Sequence, residues 1–188
     1  MRKMKRVEDS RTENTYLIMN KHINSYGRLF GGVLMQWIDE MAGIVAHRHA
    51  GTIVTTACVD NLNFKAGAYL GNTVVLIGKM TYVGRTSMEV RIDTYVEDSD
   101  GMRKMINRAY EVMVALDEND NKVEVPGLIV ETEAEKADLR HVTAFYMQEM
   151  LTGRKSLTSS GILAVFMSCV EIMTVTGPKS FQLHCDLK

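Results

Sequence analysis

Several features that would settle a protein's class at a glance are missing from this sequence. Its 188 residues hold two prolines and one tryptophan, and its 14 glycines follow no repeat. Proline-rich and collagen-like chains are thereby excluded. Lysine and arginine total 22 against 23 acidic residues, a net charge of −1. A dedicated nucleic-acid binder would show a basic excess, so no nucleic-acid partner is expected. Cys58, Cys169 and Cys185 have neither CxxC nor Cys/His metal spacing. Free thiols in a reducing compartment follow, with no metal and no cofactor implied. The longest apolar stretch, residues 161–170, is well short of the ~20 residues of a membrane span. No apolar signal-peptide core follows the basic start. P-loop, G-x-G-x-x-G and G-x-S-x-G patterns are absent too. A soluble, cytoplasmic protein is the expectation.

What is present is enough apolar sequence, 46%, to build one domain with a core of its own. Residues 1–12 are polar and charged and are expected to fray. Residues 15–19 suit a first strand, and a loop of turn formers follows. From 30 to 50, apolar residues at 30, 33, 34, 37, 38, 41, 42 and 45 keep the helical period and predict one long buried helix. Gly51 is a good stop, and His47, Arg48 and His49 suit the negative end of the helix dipole. The period then changes. Residues 52–64 and 72–83 are β-branched runs, and Met88, Val90, Ile92, Thr94 and Val96 alternate with polar residues as in a half-buried strand. Tyr110, Val112, Val114 and Leu116 repeat that alternation, and residues 117–121 read as a turn. Thr132 and Glu135 form a capping-box pattern that opens a helix reaching about residue 150. A helix followed by a run of strands indicates an α+β fold, the helix packed on one antiparallel sheet. Residues 156–188 continue none of these patterns and read as a poorly ordered extension or as read-through sequence.

Three places could carry chemistry. At Phe30-Gly31-Gly32 the helix begins, where backbone N–H groups lack partners. Glycine there lets a ligand approach closely enough to use them as an oxyanion hole, although Gly-Gly also suits a plain tight turn. Asp39 lies mid-helix on a stripe with Gly32, Gln36 and Gly43, away from the apolar face. A solvent-facing aspartate is the simpler reading. Glycine inside a helix costs ~1 kcal/mol, however, which suits the close approach of a ligand or partner better than bulk water. Asn24, in the loop before the helix, can orient water or a carbonyl, or simply make a turn. Arg85, Thr86 and Ser87 sit in a hairpin turn whose cationic, hydroxyl-bearing chemistry could also hold a phosphate.

The stretch from Asn24 through Phe30-Gly31-Gly32 and Trp37-Ile38-Asp39, continued by Ala46-His-Arg-His-Ala-Gly51 and Val54-Thr-Thr-Ala-Cys-Val-Asp60, resembles the hotdog-fold acyl-CoA thioesterases. The cytosolic, brain-type acyl-CoA hydrolases and their bacterial relatives are the nearest group. The resemblance covers residues 12–127, the expected hotdog domain. A C-terminal helix is placed at 128–155 and a tail at 156–188. It implies a long helix wrapped by a curved antiparallel sheet, an acyl-CoA substrate, and a homodimer at minimum, often a trimer of dimers, with sites at the dimer interface. It makes Asp39 the general base or nucleophile and gives Asn24 the positioning of water or thioester. Gly32, with Gly31, would supply the oxyanion N–H, and Arg85, Thr86 and Ser87 would lie near the CoA moiety. A thioester is electrophilic enough for one carboxylate and an oxyanion hole to suffice. Dehydration of acyl thioesters would need a histidine near Asp39, and none is there. A non-enzymatic acyl-CoA sensor on the same scaffold is the alternative.

Overall fold

The structure is a computed structural model that describes residues 2–139, apart from the side chains at 60, 61 and 63. Strand β1 (Met4–Arg6) and a 3-10 turn (Val7–Asp9) lead into β2 (Thr12–Leu17), and a second 3-10 turn (Asn20–His22) precedes helix α1 (Gly31–Ala50). Then come β3 (Ile53–Phe64), β4 (Thr73–Val83), β5 (Ser87–Glu97), β6 (Arg103–Leu116) and β7 (Gly127–Ile129). Strands β2-β4-β5-β6-β3, in that spatial order, make one antiparallel sheet. The sheet packs around α1. The α+β expectation and the order of its elements are what the structure contains.

Helix α1 is held by what it buries. Leu34, Trp37, Ile38, Met41 and Val45 meet Val74, Leu76 and Met80 of β4, Val90 and Ile92 of β5 and Met113 of β6 in one core. Each large apolar side chain buried here is worth ~1.5–3 kcal/mol. That outweighs the ~1 kcal/mol cost of a mid-helix glycine such as Gly43. Packing, not propensity, fixes the helix. Gly51 ends it with φ 72°, the left-handed conformation glycine adopts without strain. At the dipole's negative end the histidines divide: His47 Nδ1 lies 2.9 Å from the Thr52 carbonyl, while His49 is fully buried with Nε2 2.9 Å from the Pro126 carbonyl. Burial holds the His49 imidazole below its ordinary pKa.

Two expectations need correction. Residues 4–10 do not fray: β1 pairs in parallel with β7, and Val7 and Ser10 are buried. The charged side chains lie outward, and Lys5 Nζ donates to the carbonyl of Arg48 at 2.6 Å. In β6 the alternation exists with its faces exchanged. Ala109, Glu111, Met113 and Ala115 are buried, with the three apolar members in the core under α1. Tyr110, Val112, Val114 and Leu116 are only half-buried on the opposite face. Beyond β7 the capping box is as expected, with Glu135 N–H donating to Thr132 Oγ1 (3.2 Å) and Thr132 N–H to Glu135 Oε2 (2.9 Å). The helix it opens is seen over 133–139; its continuation to 150 and residues 156–188 lie outside the described residues. Asp138 on that helix bridges Lys79 (2.7 Å) and Arg91 of the sheet.

The contact between α1 and β4 depends on Gly78. A Cβ there would stand 2.8 Å from Met41 Cγ and 2.9 Å from Val45 Cγ2, closer than side chains tolerate. Gly78→Ala is expected to destabilise the fold by ~1–3 kcal/mol through overpacking. Urea unfolding checks this, and an unchanged midpoint would mean that the helix shifts at no cost.

Candidate active site

The side of α1 facing away from the core carries the polar stripe. Phe30 caps the helix in an extended conformation without a side-chain hydrogen bond, and among the described residues the N–H groups of Gly31 and Gly32 have no backbone acceptor. They point out of the helix at the positive end of its dipole. A cleft of about 330 Å³ opens beside this turn. Gly32, Gln36 and Asp39 form its helical wall, Val59 and Leu62 of β3 face them, and Glu111 of β6 closes the floor. The stripe of Gly32, Gln36 and Asp39 thus lines a cleft; Gly43 belongs to a shallower surface further along the helix, with Glu40, Ile44 and His47.

Asp39 is held by two neighbours. Thr56 Oγ1 donates to Asp39 Oδ1 at 2.6 Å from β3, near the irregular pairing of β3 with β6 between Thr56 and Cys58. Such irregularities re-aim side chains and recur beside active sites. Glu111 is 1% exposed and hydrogen-bonds Asp39 through its carboxyl, while among the described residues its Oε2 is buried without a hydrogen-bond partner. Two carboxyl groups can hydrogen-bond only if one keeps a proton. Burial first, then the charge of Asp39 and their hydrogen bond, push Glu111 from 4.5 up to about 7.

Neither Thr56 nor Glu111 stood out in the sequence. Thr56 sits in a β-branched run where threonine is ordinary. Glu111 lies between apolar residues on a strand whose larger apolar side chains mark the wrong face as buried. The other sequence candidates lie elsewhere on the single chain. Asn24 is a turn residue: its Oδ1 accepts from the N–H of Tyr26 (2.9 Å) and of Arg28 (3.2 Å). Its side-chain NH2 has no hydrogen-bond partner among the described residues. Arg85, Thr86 and Ser87 form the β4–β5 hairpin, closed by Gly84 N–H to the Ser87 carbonyl at 2.8 Å. The carbonyl of Arg85 accepts from Val125 N–H and that of Thr86 from Ala115 N–H. None of these four residues lines the Asp39 cleft.

Glu111 makes stability depend on pH with a definite sign. A carboxyl raised from 4.5 to about 7 gives its full contribution below pH 4.5 and loses it as pH rises to 7. At about 1.4 kcal/mol per unit the loss is of the order of 3 kcal/mol. Urea unfolding at pH 5 and at pH 8 is expected to show Glu111→Gln losing less stability than the native chain over that interval. Equal losses would place the titration elsewhere.

The family model of the thioesterase superfamily matches residues 26–102, from the loop just after Asn24 through α1 to the turn beyond β5. The chain is 33% identical over 145 residues to the human cytosolic acyl coenzyme A thioester hydrolase, covering 76% of this chain. It spans only 38% of that relative's length. Among solved structures, an apo-hexameric acyl-CoA thioesterase is 35% identical with TM-score 0.76, covering 82% of this chain and 99% of that one. An acyl-CoA hydrolase from Staphylococcus aureus, solved with butyryl coenzyme A, coenzyme A and coenzyme A disulfide, is 25% identical with TM-score 0.75, covering 93% and 99%. That hydrolase has also been solved as three alanine variants, of an asparagine, an aspartate and a threonine. Their sequence spacing is that of Asn24, Asp39 and Thr56 here. With a helix wrapped by a curled antiparallel sheet and this degree of likeness over the full length of a solved thioesterase, the chain belongs to the hotdog-fold thioesterase superfamily.

Proposed function

We propose that the chain hydrolyses fatty acyl-CoA to free fatty acid and CoA, with Asp39 as the reactive carboxylate. The observation that carries this is one helix placing the Gly32 N–H and the Asp39 carboxylate on a single cleft, with Thr56 donating to Asp39 at 2.6 Å. The thioester oxygen accepts from the N–H groups at the start of α1, where negative charge develops as the carbonyl is attacked. Asp39 then removes a proton from water, or attacks the carbonyl itself to give a mixed anhydride that water opens. Thr56 fixes the direction of the carboxylate in either case. The adenosine phosphates of CoA fall to Arg85, Thr86 and Ser87 of the hairpin.

The working unit is a homo-oligomer. Among the described residues strand β3 ends the sheet with an unpaired edge and exposes Ile53, Val59 and Phe64, and α1 beside it exposes Met35 and Ile44. A long apolar edge of this kind calls for pairing with another strand. A second copy of the chain joined edge to edge would extend the sheet and roof the cleft with partner residues. Asn24 of the partner subunit is then the residue that brings its unused NH2 to the water or the thioester. The hexameric thioesterase neighbour and the CoA-bound hydrolase support this reading. The name of the human relative supports a cytosolic location, and among the described residues no helix is long and apolar enough to cross a membrane.

Release of CoA from short, medium and long acyl-CoAs, followed with a thiol reagent, is expected to show turnover. Asp39→Ala should lower kcat by about 10²–10⁴-fold, and Thr56→Val by a smaller factor of roughly ten to a hundred. Tight acyl-CoA binding without turnover would instead identify a sensor, and turnover that survives Asp39→Ala would remove Asp39 from the chemistry. Arg85→Ala should raise KM for acyl-CoA and leave kcat nearly unchanged. Sedimentation should give dimers or larger species, and a fully active monomer would overturn the shared site.

A further inference from the structure

Glu111 meets the cleft only at its floor: the residue is 1% exposed and, among the described residues, its Oε2 is sealed with no hydrogen-bond partner. An ionised glutamate in that position would stand against Asp39 with no cation among the described residues to balance the two. From α1 the titratable group facing it is Asp39; Glu40, next in the chain, accepts from Gln36 Nε2 at 2.8 Å on the exposed side. From β3 the described neighbours are Val59, opposite it in the strand pairing, and Leu62, and the nearby Cys58 is exposed. Across β5 it faces Val90, while Glu89, Arg91 and Asp93 lie on the other face of the sheet, where Thr81 bonds Glu89 and Arg108 pairs with Asp93. Among the described residues, the charge that acts on Glu111 is that of Asp39.

Resting on the hydrolase reading of the cleft, we propose that Glu111 is a positioning residue that shares one proton with Asp39, so that the reactive unit is a carboxyl–carboxylate pair rather than a lone aspartate. Thr56 and Glu111 then approach Asp39 from β3 and β6, and between them fix the direction of the remaining lone pairs toward the cleft. The proton count closes. Before reaction the pair holds one proton, on Glu111. As water attacks, its O–H bond breaks, the C–O bond forms, and the proton goes to Asp39, so the pair holds two. When the C–S bond breaks, the leaving thiolate of CoA takes one proton from the pair, which returns to its starting state, and the carboxylic acid product ionises in solvent. Loss of the shared proton removes the hydrogen bond and leaves two like charges in contact, which turns Asp39 from its position. Burial of Glu111 and the Asp39 charge, which together raise the Glu111 carboxyl to about 7, set the pH at which this happens.

Two measurements test the pair. In pH profiles of kcat/KM for acyl-CoA hydrolysis, the native protein is expected to lose activity on an alkaline limb that begins near neutrality. Glu111→Gln, which keeps a donor of the same shape that cannot ionise, should lack that limb and keep a higher kcat than Glu111→Leu. Glu111→Leu, with no donor, should lose kcat by roughly ten- to a hundredfold at all pH values. A limb that persists in Glu111→Gln, or Leu and Gln variants with equal kcat and equal profiles, would overturn the proposal. The second measurement leaves Glu111 intact and needs no turnover. Infrared difference titration of the native protein should show a protonated carboxyl band that disappears near neutral pH and whose midpoint falls in Asp39→Ala. No such band, or a midpoint unmoved by Asp39→Ala, would also overturn it. If the native protein hydrolyses no acyl-CoA while the band behaves as described, the hydrolase reading fails and the carboxyl pair stands.

Discussion

Everything in this molecule depends on how closely one helix can lie in one curled sheet. Gly78 of β4 lets Met41 and Val45 of α1 approach where a side chain would hold them off. With Leu34, Ile38, Met41 and Val45 committed to the core, the helix has no rotational freedom left. Its polar stripe must face the edge strand β3. The register of β3 on β6 then decides which side chains meet Asp39, and it delivers Thr56 from one strand and Glu111 from the next. The geometry of the candidate site is here a by-product of apolar packing, since packed interiors deform little.

That the site sits at the helix N-terminus follows from the same constraint. The N–H groups of Gly31 and Gly32 cannot be used within α1. The room that glycine leaves at Gly32 is taken by the Phe30 ring, 2.7 Å from where a Cβ would stand, and Phe30, which caps the helix, has no polar side chain to compete for the N–H groups. An unfilled donor pair and a carboxylate two turns further along one stripe complement each other. In the proposed hydrolysis the donors would stabilise negative charge on the carbonyl oxygen, and the carboxylate would activate what attacks the carbonyl carbon. The N-terminal ribbon of β1 and β7 and the bridge from Asp138 to Lys79 and Arg91 brace the sheet from outside the cleft.

Much of the fold was legible in the sequence because the period of apolar residues is strong. The helix was placed to within a residue, since 33, 34, 37, 38, 41, 42 and 45 mark one face and Gly51 ends it. The β4 and β5 strands were equally plain. Strand β6 deceived because both its faces carry apolar residues. Valine and tyrosine on one face outweigh the alanines and methionine on the other in any pattern of side-chain size, yet it is the smaller set that fits under α1. That inversion hid Glu111, which an outward reading leaves in solvent. Residues 4–10 were misread for a related reason: β1 is anchored by backbone pairing and by Val7, and its charged side chains gave no sign of either. Asn24 was found through its place in a motif, but its turn geometry and distance from the cleft belong to the folded chain. Asp39 and Gly32 were found because glycine and aspartate on one helical stripe conflict with helix propensity, and such conflicts mark places where something other than stability is served.

The proposed site puts the acyl-CoA thioester between the start of α1 and Asp39. A crystal structure of Asp39→Ala with butyryl-CoA bound tests it most directly. The thioester oxygen is expected within hydrogen-bonding distance of the Gly32 N–H, and the carbonyl carbon facing the position that Asp39 and Thr56 occupy in the native chain. A thioester seated outside this cleft, with Gly32 and Thr56 untouched, would contradict it.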